Sequence, residues 1–285
     1  MLTALVWASA VIMFKRSGER VHPVALNSFK NLLAWVLLIP TAWIMGESLL
    51  RSVPASEYIM LIISGALGIG ISDTLFFKSL NRLGAGLSAI VDCLYSPSII
   101  FLSMLWLGET LTWLQIMGAV MIVSAVLTAI GEKNGNHLSR SDMFWGVTWG
   151  ASAMLIMAVS IVSIKPILSN APLLWVTEIR LTGGILSLLV VLAFHPSRRK
   201  IIGSMKKTNR WTYTILGSFT GAYVSMMLWL GGMKYANVSI AAALNQTSNI
   251  WIYIFAGLFL KETLTRGKTI GIILGVAGTL LVTYG

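Results

Sequence analysis

The sequence predicts an all-α membrane protein that crosses the bilayer many times. Of its 285 residues, 56% are hydrophobic and only 11% are charged, whereas about a quarter of the residues in soluble domains are charged. Apolar runs of about 17–25 residues recur along the whole chain, which is the length that a membrane-spanning helix needs. These runs are apolar on every side instead of alternating, so they do not fit the strands of a barrel.

Ten spans are predicted, at residues 1–16, 24–46, 56–79, 85–107, 112–131, 142–165, 172–194, 211–233, 237–260 and 266–284. The apolar part of the first span would cover only about 21 Å as a helix. We therefore expect this span to continue toward Gly18, or the true start to lie upstream of Met1. No signal-peptide cleavage pattern follows it, so it is expected to be retained.

The two halves of the chain repeat. Residues 131–141 are polar and contain glycine, which predicts a first five-helix repeat over residues 1–131, a linker over 132–141 and a second five-helix repeat over 142–285. The segment Leu107-Gly-Glu109-Thr-Leu-Thr112 returns as Leu260-Lys-Glu262-Thr-Leu-Thr265. An odd number of helices per repeat inverts the second repeat in the membrane, and inverted repeats commonly enclose a transport site near the midplane.

Polar and charged positions inside the spans align between the repeats as well. Lys30 pairs with Arg180 at a separation of 150 residues, Asp92 aligns with Asn245, and Asp73 aligns with a position close to Ser225. This co-linear order is harder to attribute to chance than the matching of apolar residues.

The net charge of +11 is unevenly distributed. Loops after odd-numbered spans carry sixteen Lys and Arg residues, and loops after even-numbered spans carry three. The positive-inside rule then predicts that the odd loops are cytoplasmic and that both termini lie outside. The basic cluster between Arg198 and Arg210 contains no interleaved aromatic platform, which favours an orientation signal over a nucleic-acid partner.

Cysteine and histidine usage predicts neither a metal site nor a cofactor. Cys93 is the single cysteine, so neither an intrachain disulfide nor a cysteine metal cluster can form. The three histidines fall at span ends or in loops without ligand spacing to one another.

Ionisable residues inside the spans are the strongest functional signal. Asp73 and Asp92 flank a tight turn at Asn81–Gly86, and each lies about 10–12 Å below the same membrane surface. Lys30 reaches the same depth. Buried charges at that depth are costly, so they indicate a substrate or proton site by default, and neighbouring carboxylates favour proton coupling. A structural role, in which the acids and Lys30 neutralise one another and hold helices together, stays open.

The second half offers Glu178 and Arg180, which approach the midplane from the opposite surface. Arg180 and Lys30 could instead extend to the interface, because long basic side chains reach about that far. Further residues with a suitable polar or aromatic character complete the predicted binding pocket: Asn27, Tyr95, Asn245, Gln246, Asn249, Trp7, Tyr223 and Trp229. For each aromatic residue, ordinary helix packing or the interface belt is the alternative.

Two further features concern the backbone. Pro97 lies inside the fourth span and frees a carbonyl there, which makes it a candidate for a kink or a gate. Gly65, Gly68 and Gly70 are small residues that favour close helix packing. Glu109 and Glu262 head the loops after the fourth and ninth spans and are expected to act as interfacial caps.

The repeated Leu-x-Glu-Thr-Leu-Thr motif, the basic residues Lys30 and Arg180, and Pro97 together resemble the EamA family of the drug/metabolite transporter superfamily. The resemblance covers essentially the whole chain and implies ten helices and secondary transport of amino acids, other metabolites or toxic compounds. The sequence departs from the family where Ser248-Asn249-Ile250 replaces the second-half proline. Asp73 and Asp92 are not general features of that family, which suggests a subgroup with its own substrate.

From the residues and the resemblance we expect a non-enzymatic transporter of a small polar or amphipathic metabolite, acting in the cell membrane as a monomer or homodimer. Export in exchange for protons by alternating access is the leading hypothesis. Uptake by the same fold is an alternative, and a channel or receptor is another. An intramembrane aspartic protease is a further one, although the sequence around Asp73 and Asp92 departs from the Gly-x-Gly-Asp and Tyr-Asp pattern of those enzymes.

Overall fold

A computed structural model describes residues 2–107, 112–131, 138–235 and 245–284, and these ranges contain helices and short connections but no strand. Six helices in them are long and apolar enough to cross a membrane, and two further apolar helices are shorter. The expectation of a multi-pass helical membrane protein is therefore confirmed.

The helices follow the predicted spans closely over most of the chain. Their bounds are α1 Leu2–Gly18, α2 Pro23–Ile44, α3 Ala55–Leu83, α4 Ala85–Asp92, α5 Tyr95–Leu107, α6 Trp113–Gly131, α7 Arg140–Asn170, α8 Leu173–Phe194, α9 Arg198–Lys206, α10 over 211–235, α11 Ser248–Leu260 and α12 Arg266–Tyr284. Glu109, most of the linker and the start of the predicted ninth span lie outside the described residues.

The fourth span differs from its prediction, because it is divided into α4 and α5. The interruption falls at Cys93 and Leu94, just before Pro97. Pro97 is the third residue of α5, where a missing backbone N–H costs little because no earlier helical carbonyl needs it. The carbonyl four residues before Pro97 belongs to Cys93, which lies in the break and accepts instead from the N–H of Ser96 at 3.3 Å.

A short helix was not predicted in the basic loop. Its apolar residue Ile201 is buried, while basic residues such as Arg198 and Lys200 stay exposed. This α9 helix is therefore amphipathic, and it packs against the ends of α2 and α8.

Two helices contain a wide turn of π-helical geometry near the middle of the protein. In α3 this turn covers Ala66–Ser72, and in α10 it covers Ser218–Ser225. Wide turns leave backbone carbonyls poorly satisfied and often mark functional positions. In α3 the side-chain amide of Asn27 donates to the carbonyls of Ile69 (2.8 Å) and Gly70 (3.1 Å).

The helices from the two halves are packed against each other throughout. α12 lies along α6, α11 packs on α1, and α3 packs against both α7 and α8. Glycines allow the closest crossing, because a Cβ at Gly65 of α3 would collide with the backbone carbonyl of Arg180 in α8. This crossing brings the wide turn of α3 close to the basic residue of α8.

Candidate functional site

A central cavity is lined by residues of α1, α2, α3, α4, α5, α7, α8, α10 and α11. It encloses about 940 Å³ of free space, part of which is open to the surroundings. The walls are mainly apolar, with Phe76, Met154, Met157 and Met226 among them. Mostly apolar clefts with a few polar groups are the usual form of small-molecule sites.

Most of the predicted site residues meet at this cavity. Its lining includes ten of them: Trp7, Lys30, Asp73, Asp92, Tyr95, Arg180, Trp229, Asn245, Gln246 and Asn249. These residues come from spans that are far apart in the sequence. Only their predicted common depth in the membrane indicated, from the sequence, that they belong to one site.

Lys30 and Asp73 form a close ion pair on one wall. The Lys30 Nζ lies 2.7 Å from Asp73 Oδ2, and it also donates to Asn31 Oδ1 at 2.9 Å. Lys30 is 3% exposed. Asp73 directly follows the wide turn of α3, so the carbonyl contacts made by Asn27 indirectly help to set its position. Each charge of this pair is compensated by the other.

Asp92 is at the C-terminus of α4 and faces the same cavity. It is 8% exposed, and its Oδ1 has no hydrogen-bond partner within the described ranges. A buried carboxylate without a partner is costly, and such a group binds a proton or a cation readily. Asp73 bonds to Lys30 and not to Asp92, which argues against an aspartic-protease dyad sharing one proton.

Arg180 of α8 is 1% exposed, and its hydrogen-bond partners among the described residues are neutral, although the Asp73 carboxylate attracts its guanidinium from beyond ion-pair distance. Its Nε donates to Ser64 Oγ and its Nη2 donates to Ser160 Oγ, both at 3.1 Å. No carboxylate in the described part of the chain forms an ion pair with it.

Amide and aromatic donors complete the lining. The Asn249 side chain donates to Gln246 Oε1 at 2.7 Å and to Cys93 Sγ at 3.4 Å, which connects α11 to the break between α4 and α5. The hydroxyl of Tyr95 and the indole N–H of Trp229 are buried without a partner among the described residues. Such groups are available to orient a bound molecule.

Three predicted pocket residues do not line the cavity. Asn27 is fully buried behind α3, where its amide bonds to backbone. The Tyr223 hydroxyl bonds to Thr41 Oγ1 at 2.5 Å. Glu178 is buried, with Oε2 unbonded to any described residue. Their position away from the lining has a physical reason, because the sequence predicts depth along a helix but not the direction in which each side chain points.

Sequence reasoning missed Ser64, Ser72 and Ser160. Ser64 and Ser160 contact Arg180, and Ser72 lines the cavity with its hydroxyl donating to the carbonyl of Ala153 at 2.8 Å. These serines are polar residues inside apolar spans, beside Gly65 and Gly68, and that is the sequence signal by which they could have been identified. That signal is weak, because serine often bonds to its own helix.

No group of three or more histidine, cysteine or acidic residues among those described could hold a metal ion.

Comparison with known families gives one match over nearly the whole chain. The model of the EamA-like transporter family matches residues 1–131 and 144–284. The two matched ranges are separated by residues 132–143.

Several relatives carry transporter names, and two of those below align over nearly their full length. An uncharacterized transporter of Archaeoglobus fulgidus is 23% identical, covering 98% of this chain and 94% of that protein. A probable terminal-alkyne amino-acid exporter of Streptantibioticus cattleyicolor is 24% identical over 99% of this chain and 91% of its own length. An S-adenosylmethionine/S-adenosylhomocysteine transporter of Chlamydia trachomatis is 24% identical over 57% of this chain and 48% of its own length.

A solved crystal structure shares the fold. It superposes with a TM-score of 0.73 at 19% identity and covers 99% of this chain and 94% of that one.

Proposed function

Because the chain belongs to the EamA-like transporter family, we propose that it is a secondary transporter that moves a small polar or amphipathic metabolite by alternating access. Transport as the general activity agrees with the names of its relatives, which point away from an enzyme. Export in exchange for protons is the specific form that we propose.

The observation that carries the proposal is the central cavity, to which both halves contribute charged groups. One carboxylate oxygen of Asp92 has no hydrogen-bond partner in the described ranges, and the Lys30–Asp73 pair and Arg180 are part of the same lining. Burying such charges is costly unless cargo or protons use them. Walls formed by Trp7, Phe76 and Trp229 suit an apolar part of the cargo.

We propose the ten-helix arrangement with two inverted repeats as its architecture. Support comes from the wide turns of α3 and α10, which begin at Ala66 and Ser218, a separation close to the 150 residues between Lys30 and Arg180. The cavity-lining pairs Asp73 with Ser225, and Asp92 with Asn245, follow the same alignment. Rocking of one half against the other would then expose the cavity to each side in turn.

In this mechanism Asp92 carries the coupling proton or the cationic group of the cargo, one at a time. A protonated carboxyl releases a bound cation, and a bound cation displaces the proton. The paired Asp73 is less suited to this role, because Lys30 already compensates its charge. The printed name of the exporter relative supports amino acids or similar compounds as the cargo class.

We further propose the cell membrane as the location, with the basic loops in the cytoplasm and both termini outside, from the distribution of Lys and Arg. A monomer or homodimer, a coupling proton and the lipid bilayer are the proposed partners. Labelling of single cysteines placed in α9 and near the C-terminus, on intact cells, tests this orientation.

Transport in proteoliposomes tests the function. Purified protein is reconstituted, loaded with radiolabelled amino acids, nucleosides, polyamines or sugars, and exposed to an imposed pH gradient. We expect efflux of at least one compound to accelerate when protons flow the opposite way. Asp92→Asn should abolish this acceleration. Asp142→Asn should retain it, because Asp142 lies in the first turn of α7, outside the cavity lining, where it accepts from the Ser139 hydroxyl. Flux that ignores the pH gradient would refute proton exchange, and no flux of any compound would refute the transporter proposal.

A further inference from the structure

The two basic residues of the cavity differ in the groups that compensate their positive charge. Lys30 forms an ion pair with Asp73 at 2.7 Å. Arg180 has only two serine hydroxyls as hydrogen-bond acceptors within the described ranges. It is buried to 1% exposure and stays charged at any physiological pH. The Arg180 guanidinium therefore has no carboxylate of the described residues in contact with it, only the more distant Asp73, and a buried charge of this kind is costly until an anion reaches it.

Ser64 and Ser160 hold this guanidinium in a fixed orientation. The two serines cross between α3 and α7, and each donates its hydroxyl proton to the other's backbone carbonyl at 2.8 Å. Because both protons are used in this way, both hydroxyl oxygens remain as acceptors. They accept from Nε and Nη2 of Arg180, so one edge of the guanidinium is clamped.

The rest of the guanidinium has no partner in the described part of the chain. A guanidinium carries five N–H donors in a planar fork, and only two contacts are made here. Gly68 leaves room for the group, because a Cβ at that position would lie 3.3 Å from Nη2. The clamped fork therefore keeps unused donors beside the cavity.

From these contacts we infer that Arg180 is an anion subsite that receives the carboxylate of a monocarboxylate cargo, and that Ser64 and Ser160 are its positioning residues. A planar fork matches a carboxylate through two parallel hydrogen bonds. Among the described cavity residues, Arg180 is the cation without a carboxylate in contact, and it matches one negative charge. A phosphate monoester carries about −1.5 to −2 and would leave an uncompensated charge in an apolar cavity. This inference rests on the proposed function of transport and adds the chemical group that the cargo must carry.

Measurements of ligand binding to the unmodified protein test the proposed anion subsite. Detergent-purified protein is titrated by calorimetry with the twenty common amino acids, benzoate and butyrate, and every binder is measured again as its carboxamide. We expect the carboxamide to bind roughly 10- to 100-fold more weakly, because a charge-assisted hydrogen-bond pair is lost.

Variants then separate positioning from packing. Ser64→Ala and Ser160→Ala should lower affinity for the carboxylate and leave affinity for the carboxamide unchanged. Arg180→Lys should remove most of the discrimination between the two. Ser187→Ala is the matched control, because Ser187 is on the same helix as Arg180 but its hydroxyl donates to the Gly184 carbonyl; it should bind as the unmodified protein does.

Equal affinity for the carboxylate and the carboxamide would refute the proposal that Arg180 is an anion subsite. The absence of binding by every probe would refute it as well. Discrimination that disappears in Lys30→Ala but persists in Arg180→Lys would assign the anion to Lys30 and also overturn it. Proteoliposomes that carry a cargo without a carboxylate would refute this inference and leave the transporter proposal standing.

Discussion

The carboxylate of Glu262 accepts a hydrogen bond from the backbone N–H of Ala85 at 2.7 Å. Its second oxygen accepts from the N–H of Gly86 at 3.0 Å. Glu262 belongs to the connection between α11 and α12, whereas Ala85 begins α4, so this cap joins the two halves of the chain. Glu262 was expected to be an interfacial cap, and the helix it caps belongs to the other half. Its counterpart Glu109 lies outside the described residues.

Glu262→Gln should lower the midpoint of thermal unfolding in mild detergent. The N-terminus of α4 presents unpaired N–H groups and a partial positive charge, and a neutral amide keeps only one acceptor for two donors. We expect a loss of about 1–2 kcal/mol. Glu19→Gln is the control, because Glu19 makes only a solvent-exposed pair with Arg210 at 3.7 Å. An equal loss in both variants would contradict a specific cap.

Asp73→Asn should destabilise the protein much more than Asp92→Asn. Removing the Asp73 charge leaves Lys30 buried without compensation, which costs roughly 3 kcal/mol. Asp92 pairs with no basic residue among those described, so neutralising it removes a buried charge and should leave stability unchanged or raise it. Unfolding of both variants side by side in detergent checks this order. A larger loss in Asp92→Asn would refute it.

Gly65→Ala should weaken the crossing of α3 and α8. The added methyl group would collide with the Arg180 backbone carbonyl, and backbone cannot move aside as a flexible side chain can. We expect a loss of about 1–3 kcal/mol. Gly203→Ala is the matched control in α9, because no atom of the described residues lies within 4 Å of its added Cβ. There alanine should raise stability by about 0.5–1 kcal/mol through helix propensity, so the two variants should shift thermal unfolding in opposite directions.

His22 should make the protein less stable as the pH falls below neutrality. Burial lowers the pKa of His22, and the nearby His195 and Lys78 lower it further. Its Nδ1 accepts from the Val24 N–H at 3.3 Å as the N-cap of α2, and protonation removes this acceptor. Because the folded-state pKa lies below the unfolded value of about 6.5, its contribution is complete above that pH and is lost as the pH falls toward the folded-state pKa.

The measurement is thermal unfolding at about pH 7.5 and pH 5.5 for the unmodified protein and for His22→Asn. Asparagine keeps a capping acceptor that does not titrate in this range. The variant should therefore lose less stability between the two pH values. An identical loss in both proteins would mean that other groups cause the decline.

Much of the fold followed from span length, because a bilayer imposes the same requirement on every crossing helix. Internal details did not follow in the same way. No apolar run in the sequence predicts the wide turns of α3 and α10, the break at Cys93 or the amphipathic α9 helix. These features depend on contacts between helices. Asn27 illustrates this, since its amide supports the wide turn of α3 instead of facing the cavity.

For the candidate site, the sequence alone was enough to predict a common depth for Lys30, Asp73, Asp92 and Arg180, because rise per residue is constant along a helix. Only the tertiary structure decided that Lys30 is paired with Asp73 and that Arg180 rests on Ser64 and Ser160. Pairing depends on the rotation and crossing of helices, which small residues such as Gly65 set by packing. Distance along a helix axis is a property of one segment, whereas the partner of a buried charge is a property of all the segments around it.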